Sequence, residues 1–289
     1  MSWLVTGLTL GGLYALIAQG FVLTFLTTRT LNFAIGEFMA CAAFLALALA
    51  AWGWLPVAGR IVVAVIVVGI GGAIAFRLLI EPFGDAGPHD VRWLLTTVGL
   101  SIIVLNVLTN VEGATPRKLG FATVSGIPTI LGVRVSGQSL LIAGVAVVVT
   151  VALVLFTSKT SAGAVLRAVS MDPDTASLMG ISPRVVGAVS YAVAMGLAAL
   201  AGILWSGEVG VSVGLGSPLL VASFAVAIIG GLTSLWGPLL GGALYGVLTQ
   251  FSSDQLGSTW GETSGLLLVV VVLMFRPQGL LGRRIEEKV

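Results

Sequence analysis

Apolar residues run in long unbroken blocks along this chain and do not alternate with polar ones. A helix needs roughly 20 such residues to cross a hydrocarbon core. Charge-poor windows near that length fall at 3–27, 33–52, 58–80, 92–111, 138–157 and 186–206. A shorter one lies at 263–275, and before it comes 217–252, apolar but interrupted by glycine. Continuous runs predict helices, because the strands of a membrane barrel would alternate. The expected architecture is an all-α, polytopic membrane bundle forming one domain over 1–289. It has seven spans plus 217–252, read either as two short crossings or as a re-entrant pair, so seven to nine in all.

Composition agrees and narrows the class. Of 289 residues, 57% are apolar and 9% charged. Adding the 39 glycines brings the apolar share to about 70%, against roughly 45–50% for a soluble domain. Such a chain has too few charges to cover a soluble globule, which excludes a soluble enzyme, a disordered chain and a disulfide scaffold. The first window, Trp3 to Leu26, has no basic segment before it and is too long for a signal-peptide core, so it reads as a retained span. With one cysteine, Cys41, and one histidine, His89, no zinc, haem or iron–sulfur site of the usual ligand types is expected, and no cofactor.

The few charges orient the bundle. With the N-terminus outside, the inner segments carry Arg29, Arg77, Arg92, Lys159, Arg167, Arg184, Arg276, Arg283, Arg284 and Lys288. The outer ones carry Arg60, Arg117, Lys118 and Arg134. Ten basic residues against four predict an outside N-terminus and a cytoplasmic C-terminus. Two connections are long, an outer one at about 112–137 and an inner one at about 158–185. Loops of this length are usually functional or disordered.

The inner loop carries capping chemistry in its second half. Asp172 suits an N-cap, Pro173 the first helical position, and Asp174 the positive end of the dipole. Gly180 is placed to end the helix in the left-handed region. The result is a helix of about two turns, marginal alone, bearing Ala176, Leu178 and Met179. It reads either as a plain connector or as an element that docks on a cytoplasmic partner, a use to which adaptable Met side chains are suited. The next span is rich in Gly and Ala, including Gly187, Ala188, Ala194, Gly196, Ala198 and Gly202, which lets helices approach closely.

Four segments carry a resemblance. Leu166-Arg167-Ala168, Asp172-Pro173, Ala176 and Leu178-Met179-Gly180-Ile181 resemble the coupling loop of the branched-chain amino-acid ABC importer permeases. Leu31-Asn32-Phe33-Ala34-Ile35-Gly36-Glu37 looks like that family's early Asn-Phe-Ala-x-Gly motif, with Ile35 where His or another polar residue is common. The run from Ile229 through Gly230, Gly231 and Gly237 to Gly242 looks like its glycine-rich segment. Arg276-Pro277-Gln278-Gly279-Leu280-Leu281-Gly282 looks like its C-terminal signature. The early motif and prompt first span are most similar to the LivH-type subunit.

The resemblance implies a permease subunit that forms half of a translocation path for branched-chain or other small hydrophobic amino acids. Permeases for urea, short amides and related small solutes are similar and stand as the alternative. It also implies a second, homologous permease, two cytoplasmic ATP-binding subunits, an external substrate-binding protein and a bacterial inner-membrane location. No nucleic-acid partner is implied. Arg167, Met171, Asp172, Pro173, Asp174, Ala176, Leu178, Met179 and Gly180 would form the ATPase contact. The chain itself lacks a phosphate-binding loop: Ser158 stands where the second glycine is required before Lys159-Thr160. It is therefore expected to be a transport subunit and not an enzyme.

Asn32, Glu37, Asn106, Gly230, Gly231 and Gly237 are the path candidates. Each has a plainer reading. Glu37 faces a water-filled path or sits at the interface; Asn106 lines the path or bonds to another helix; the glycines of 230–246 line a broken helix or only pack tightly. Gln19 and Gln250 share the ambiguity of Asn106, and Glu208 reads as the solvated end of a span. An ion-coupled transporter would need intramembrane acids, and Glu37 is the one suitable acid. A serine protease would need His89 inside the membrane, whereas it falls in a polar loop.

Overall fold

A computed structural model describes residues 2–51, 53, 55–83, 92–113, 115–120, 126, 129–130 and 133–282. His89 and the basic residues Arg283, Arg284 and Lys288 lie outside these described residues. The chain is helical: α1 Ser2–Thr28, α2 Ile35–Ala50, α3 Val57–Ala75, α4 Arg92–Glu112, α5 Gly137–Lys159, α6 Ser161–Met171, α7 Pro173–Leu178, α8 Pro183–Val209, α9 Ser217–Gly230, α10 Gly237–Leu256 and α11 Ser258–Phe275. A wider turn over Phe76–Ile80 continues α3. The strands among the described residues are two-residue pieces, β1 Thr129–Ile130 antiparallel to β2 Val133–Arg134.

Among the described residues six helices are long and apolar enough to cross a membrane: α1, α3 extended to Ile80, α4, α5, α8 and α11. Helices α2 and α9 are apolar but shorter. The sequence windows thus correspond to helices, with three differences. The window 33–52 yields only 16 helical residues, because the Asn32 side chain takes the Ala34 N–H into a turn before α2 begins. The glycine-broken window resolves into α9 and α10, separated by residues 231–236. The first half of the inner loop, to which the sequence pattern assigns no element, is helix α6. Its N-cap is Thr160, whose hydroxyl accepts the Gly163 N–H at 2.9 Å.

Two compact units divide the chain. The first comprises Met1–Val22, Val124–Val154 and Val221–Val289. Within it α1 and α10 run antiparallel in very close contact. Gly7 meets Gly246 and Gly11 meets Gly242, so that a methyl group at Gly7 would lie 2.7 Å from the Gly246 carbonyl oxygen. Trp3 stacks edge-on against Phe251 at 5.1 Å and Tyr14 against Tyr245 at 5.6 Å along the same seam. Small residues four apart let two backbones approach without side chains between them.

The second unit comprises Leu23–Thr123 and Leu155–Leu220. Here α8 packs on both α2 and α3, and α4 packs on α2. The small residues of α8 carry this packing: Gly187, Ala188, Ala194, Gly196, Ala198, Ala199, Ala201 and Gly202 are buried. A side chain at Gly202 would strike the Met39 backbone of α2, and one at Gly187 the Phe76 ring. Phe76, Ile80, Ala188 and Tyr191 form a core cluster with Trp93 against it. Helix α4 buries Thr97 but leaves Ile102, Ile103 and Val107 exposed. Apolar side chains outside a helical bundle are what a lipid solvent requires.

Candidate functional site

The inner loop folds as two short helices that both lean on α8. Helix α6 buries Val169, and α7 buries Ala176. The caps expected from the sequence are present. Asp172 Oδ1 accepts the N–H groups of Asp174 at 3.1 Å and Thr175 at 3.0 Å, while Oδ2 accepts the Thr175 hydroxyl at 2.8 Å. Pro173 occupies the first turn, where its missing N–H is not needed. Gly180 takes φ +80 after the helix, and the Ile181 N–H bonds back to the Ala176 carbonyl, which is the hydrogen-bonding expected of a left-handed glycine stop.

That scaffold presents three large apolar side chains to the surroundings. Met171 is 84% exposed, Leu178 87% and Met179 79%. They lie beside Asp172 and Asp174 on a polar connection, not on the flank of a spanning helix. Arg167 lies on α6, one helical turn from Met171. The structure therefore brings Arg167, Met171, Asp172, Pro173, Asp174, Ala176, Leu178, Met179 and Gly180 into one element, with Ala176 as its buried anchor. Large exposed apolar groups in a polar setting mark an interaction surface.

The α6–α7 element is tied to the turn between α1 and α2. Arg29 Nη2 donates to the Ser170 carbonyl at 2.7 Å. In the same turn the Thr30 and Tyr191 hydroxyls lie 2.7 Å apart. Asn32 is buried, its Oδ1 holding the Ala34 N–H at 2.9 Å and its Nδ2 directed at Met195 Sδ. Glu37 follows in the first turn of α2, buried, with Ser101 of α4 as a hydrogen-bond partner and Oε2 unpartnered. Asn32 and Glu37 thus share one end of α2. Asn106 does not join them: it is exposed on α4 and donates to its own helix at the Ile102 carbonyl, 2.8 Å away. An interhelical bond for Asn106, one of its two expected roles, is not what its amide makes.

In the first unit the glycine candidates meet the C-terminal segment. Gly230 and Gly237 pack backbone to backbone across the α9–α10 break. Gly231 takes φ +102. The Leu280 N–H donates to the Ile229 carbonyl at 2.8 Å and the Leu281 N–H to the Gly230 carbonyl at 3.0 Å. These carbonyls end α9 and lack partners within their own helix, so residues 276–282 complete the helix terminus. Gln19 of α1, fully buried, donates to the Leu235 carbonyl at 2.8 Å and to Thr150 Oγ1 of α5 at 3.0 Å. Gln19 thus holds the turn of the break. Its distant partners are 216 and 131 residues away. Gln250 is half-buried and Glu208 exposed.

The described residues thus form a multi-pass helical membrane protein with a capped element outside its spans that exposes Met171, Leu178 and Met179. Residues 3–275 match the family model described as "Branched-chain amino acid transport system / permease component". The chain is 33% identical to the high-affinity branched-chain amino acid transport system permease protein BraD of Pseudomonas aeruginosa, covering 100% of this chain and 98% of that one. It is 29% identical to the LivH permease protein of the corresponding Escherichia coli K12 system, covering 100% and 97%. It is 28% identical to a probable LivH permease of Methanocaldococcus jannaschii, covering 93% and 89%. The chain belongs to the branched-chain amino acid transport system permease family. It is the permease subunit of an ABC importer, a transport component whose ATP hydrolysis resides in separate subunits.

Proposed function

We propose that this permease carries branched-chain amino acids across a bacterial inner membrane, with the whole of 1–289 acting as one permease domain. Its N-terminus is outside and its C-terminus cytoplasmic, as the distribution of Lys and Arg supports. It has seven spans, the shorter α2 joining the six long helices, plus α9 and α10 as a broken pair that crosses twice or re-enters, seven to nine in all. It pairs with a second, homologous permease, two ATP-binding subunits and an external binding protein. Within the second unit Asn32 and Glu37, and within the first unit Gly230, Gly231 and Gly237, are the residues assigned to solute passage. The named substrates of BraD and LivH support the choice of solute.

The observation that carries the energy-coupling role is the α6–α7 element. Its buried residues fix it to α8 while Met171, Leu178 and Met179 stand exposed. An apolar group on a water-facing loop is stabilised when a partner covers it, by about 25 cal/mol per Å² removed from water. The occupant is an ATP-binding subunit, with Arg167 and Asp174 at its rim. The test is to purify the complex carrying Leu178→Asp together with Met179→Asp. The ATP-binding subunits should be lost and uptake of radiolabelled leucine abolished, while the permease still inserts. Unchanged uptake and co-purification would refute the docking role.

A further inference from the structure

The turn joining α1 to α2 contains Arg29, whose φ is +55, the one positive φ of a non-glycine residue among the described residues. Side chains seldom accept that conformation, which glycine or asparagine adopts more readily. What Arg29 gains there is reach. Its N–H closes α1 by bonding the Phe25 carbonyl at 3.0 Å, its guanidinium lies over the Phe25 ring at 5.7 Å, and Nη2 extends to the Ser170 carbonyl at 2.7 Å. Ser170 is in the last turn of α6, two residues before the Asp172 cap of α7. Carbonyls in a last helical turn have no partner within the helix and carry the negative end of its dipole. A guanidinium is a fitting cap for one.

The same turn is fastened to the transmembrane helices within a few residues. Thr30 bonds Tyr191 of α8, and Asn32 fixes the Ala34 N–H and touches Met195 of α8. Glu37 follows in the first turn of α2. A displacement of α6–α7 therefore has a charged, short connection to the start of α2 that does not pass through the rest of α8.

We propose that Arg29 is a positioning residue that transmits movement of the α6–α7 element to the α1–α2 turn and the start of α2. This rests on the docking role given to α6–α7 above. Arg29 itself does not touch the ATP-binding subunit or the solute. The tie is a hydrogen bond from a cation at an exposed site, of a strength that biases a two-state equilibrium roughly five- to tenfold.

The test uses the assembled importer in proteoliposomes with its binding protein and radiolabelled leucine, reading leucine moved per ATP hydrolysed. Arg29→Gly removes the guanidinium and relaxes the backbone at once. A purely local role for Arg29 would leave that variant unchanged or more stable. Transmission through the side chain instead lowers leucine per ATP by about five- to tenfold, with the ATP-binding subunits still bound and hydrolysis persisting. Arg29→Lys, which retains a charged donor, should restore part of the ratio. An unchanged ratio in Arg29→Gly overturns the proposal, and so does loss of the ATP-binding subunits, which would put Arg29 in the docking contact. Should Arg29→Gly not accumulate in the membrane, Arg29→Gln is held to the same two criteria. The Leu178→Asp, Met179→Asp importer separates the two ideas: if it keeps its ATP-binding subunits and its uptake, the docking role fails whatever the Arg29 variants show.

Discussion

Gly→Ala takes opposite signs at two glycines, one in the α1–α10 seam and one on α5. At Gly7 an added methyl would lie 2.7 Å from both the Gly246 carbonyl oxygen and Val247 Cα. Comfortable carbon contacts are about 3.5–4.0 Å, so the methyl is roughly 1 Å too close. Both obstacles are backbone and cannot rotate aside. The helices must part, and a gap of 0.5–1 Å forfeits about a quarter to a half of each dispersion contact across it. With tens of contacts of about 0.1–0.2 kcal/mol each along such a seam, the loss is about 2 kcal/mol, within the range for overpacked cores. At Gly144 on α5 an added methyl meets nothing within 4 Å. There Gly→Ala only restricts the unfolded chain and favours helix, a gain of about 0.5–1 kcal/mol. Equilibrium unfolding of the full-length permease in mixed micelles should therefore rank Gly144→Ala above the wild type and Gly7→Ala below it, about 2 kcal/mol apart, because the helix-favouring gain is common to both. Equal stabilities for the two variants would refute the close packing of α1 on α10.

Three further outcomes follow from particular contacts. Asp172→Ala removes the acceptor for two N–H groups and one hydroxyl. It should destabilise α7 by about 1 kcal/mol, read as faster backbone hydrogen exchange over 173–178 with α6 unaffected. Gln19→Leu leaves the Leu235 carbonyl without its donor, costing about 1–3 kcal/mol, and should make the 231–236 turn more susceptible to protease. Gly279→Ala puts a side chain at φ +79 and against the Ile228 carbonyl and Gly231. It should release 276–282 from the end of α9, seen as loss of a disulfide between cysteines placed at 229 and 280.

Local chemistry was legible in the sequence. The Asp172-Pro173-Asp174 start and the Gly180 stop of α7 were readable because each group acts within one turn of its neighbour. The spans were readable because lipid demands about 20 apolar residues whatever the packing. Helix α6 carries signals that a reading for membrane spans passes over: Thr160 is a cap residue three before Gly163, and Val165, Leu166 and Val169 share one helical face. Gly242 and Gly246 signalled close packing, but their partner did not announce itself: Gly7 and Gly11 have the same four-residue spacing, and many glycine pairs in this chain do.

What the sequence determined by itself was the solvent of the chain, its helical class and the capped element at 172–180, all set by interactions a few residues long. What only the tertiary structure decided was which distant groups meet. Gln19 finds Leu235, Arg29 finds Ser170, and residues 280 and 281 complete the carbonyls of 229 and 230. These pairings join backbone carbonyls, which every residue carries, so no side-chain pattern at the acceptor marks them in advance. Asn32 and Asn106 show the same division: both are amides near or within apolar runs, yet one is buried holding a turn and the other lies exposed on α4. Burial is a property of the neighbours a helix face receives, and that is settled only when the helices pack.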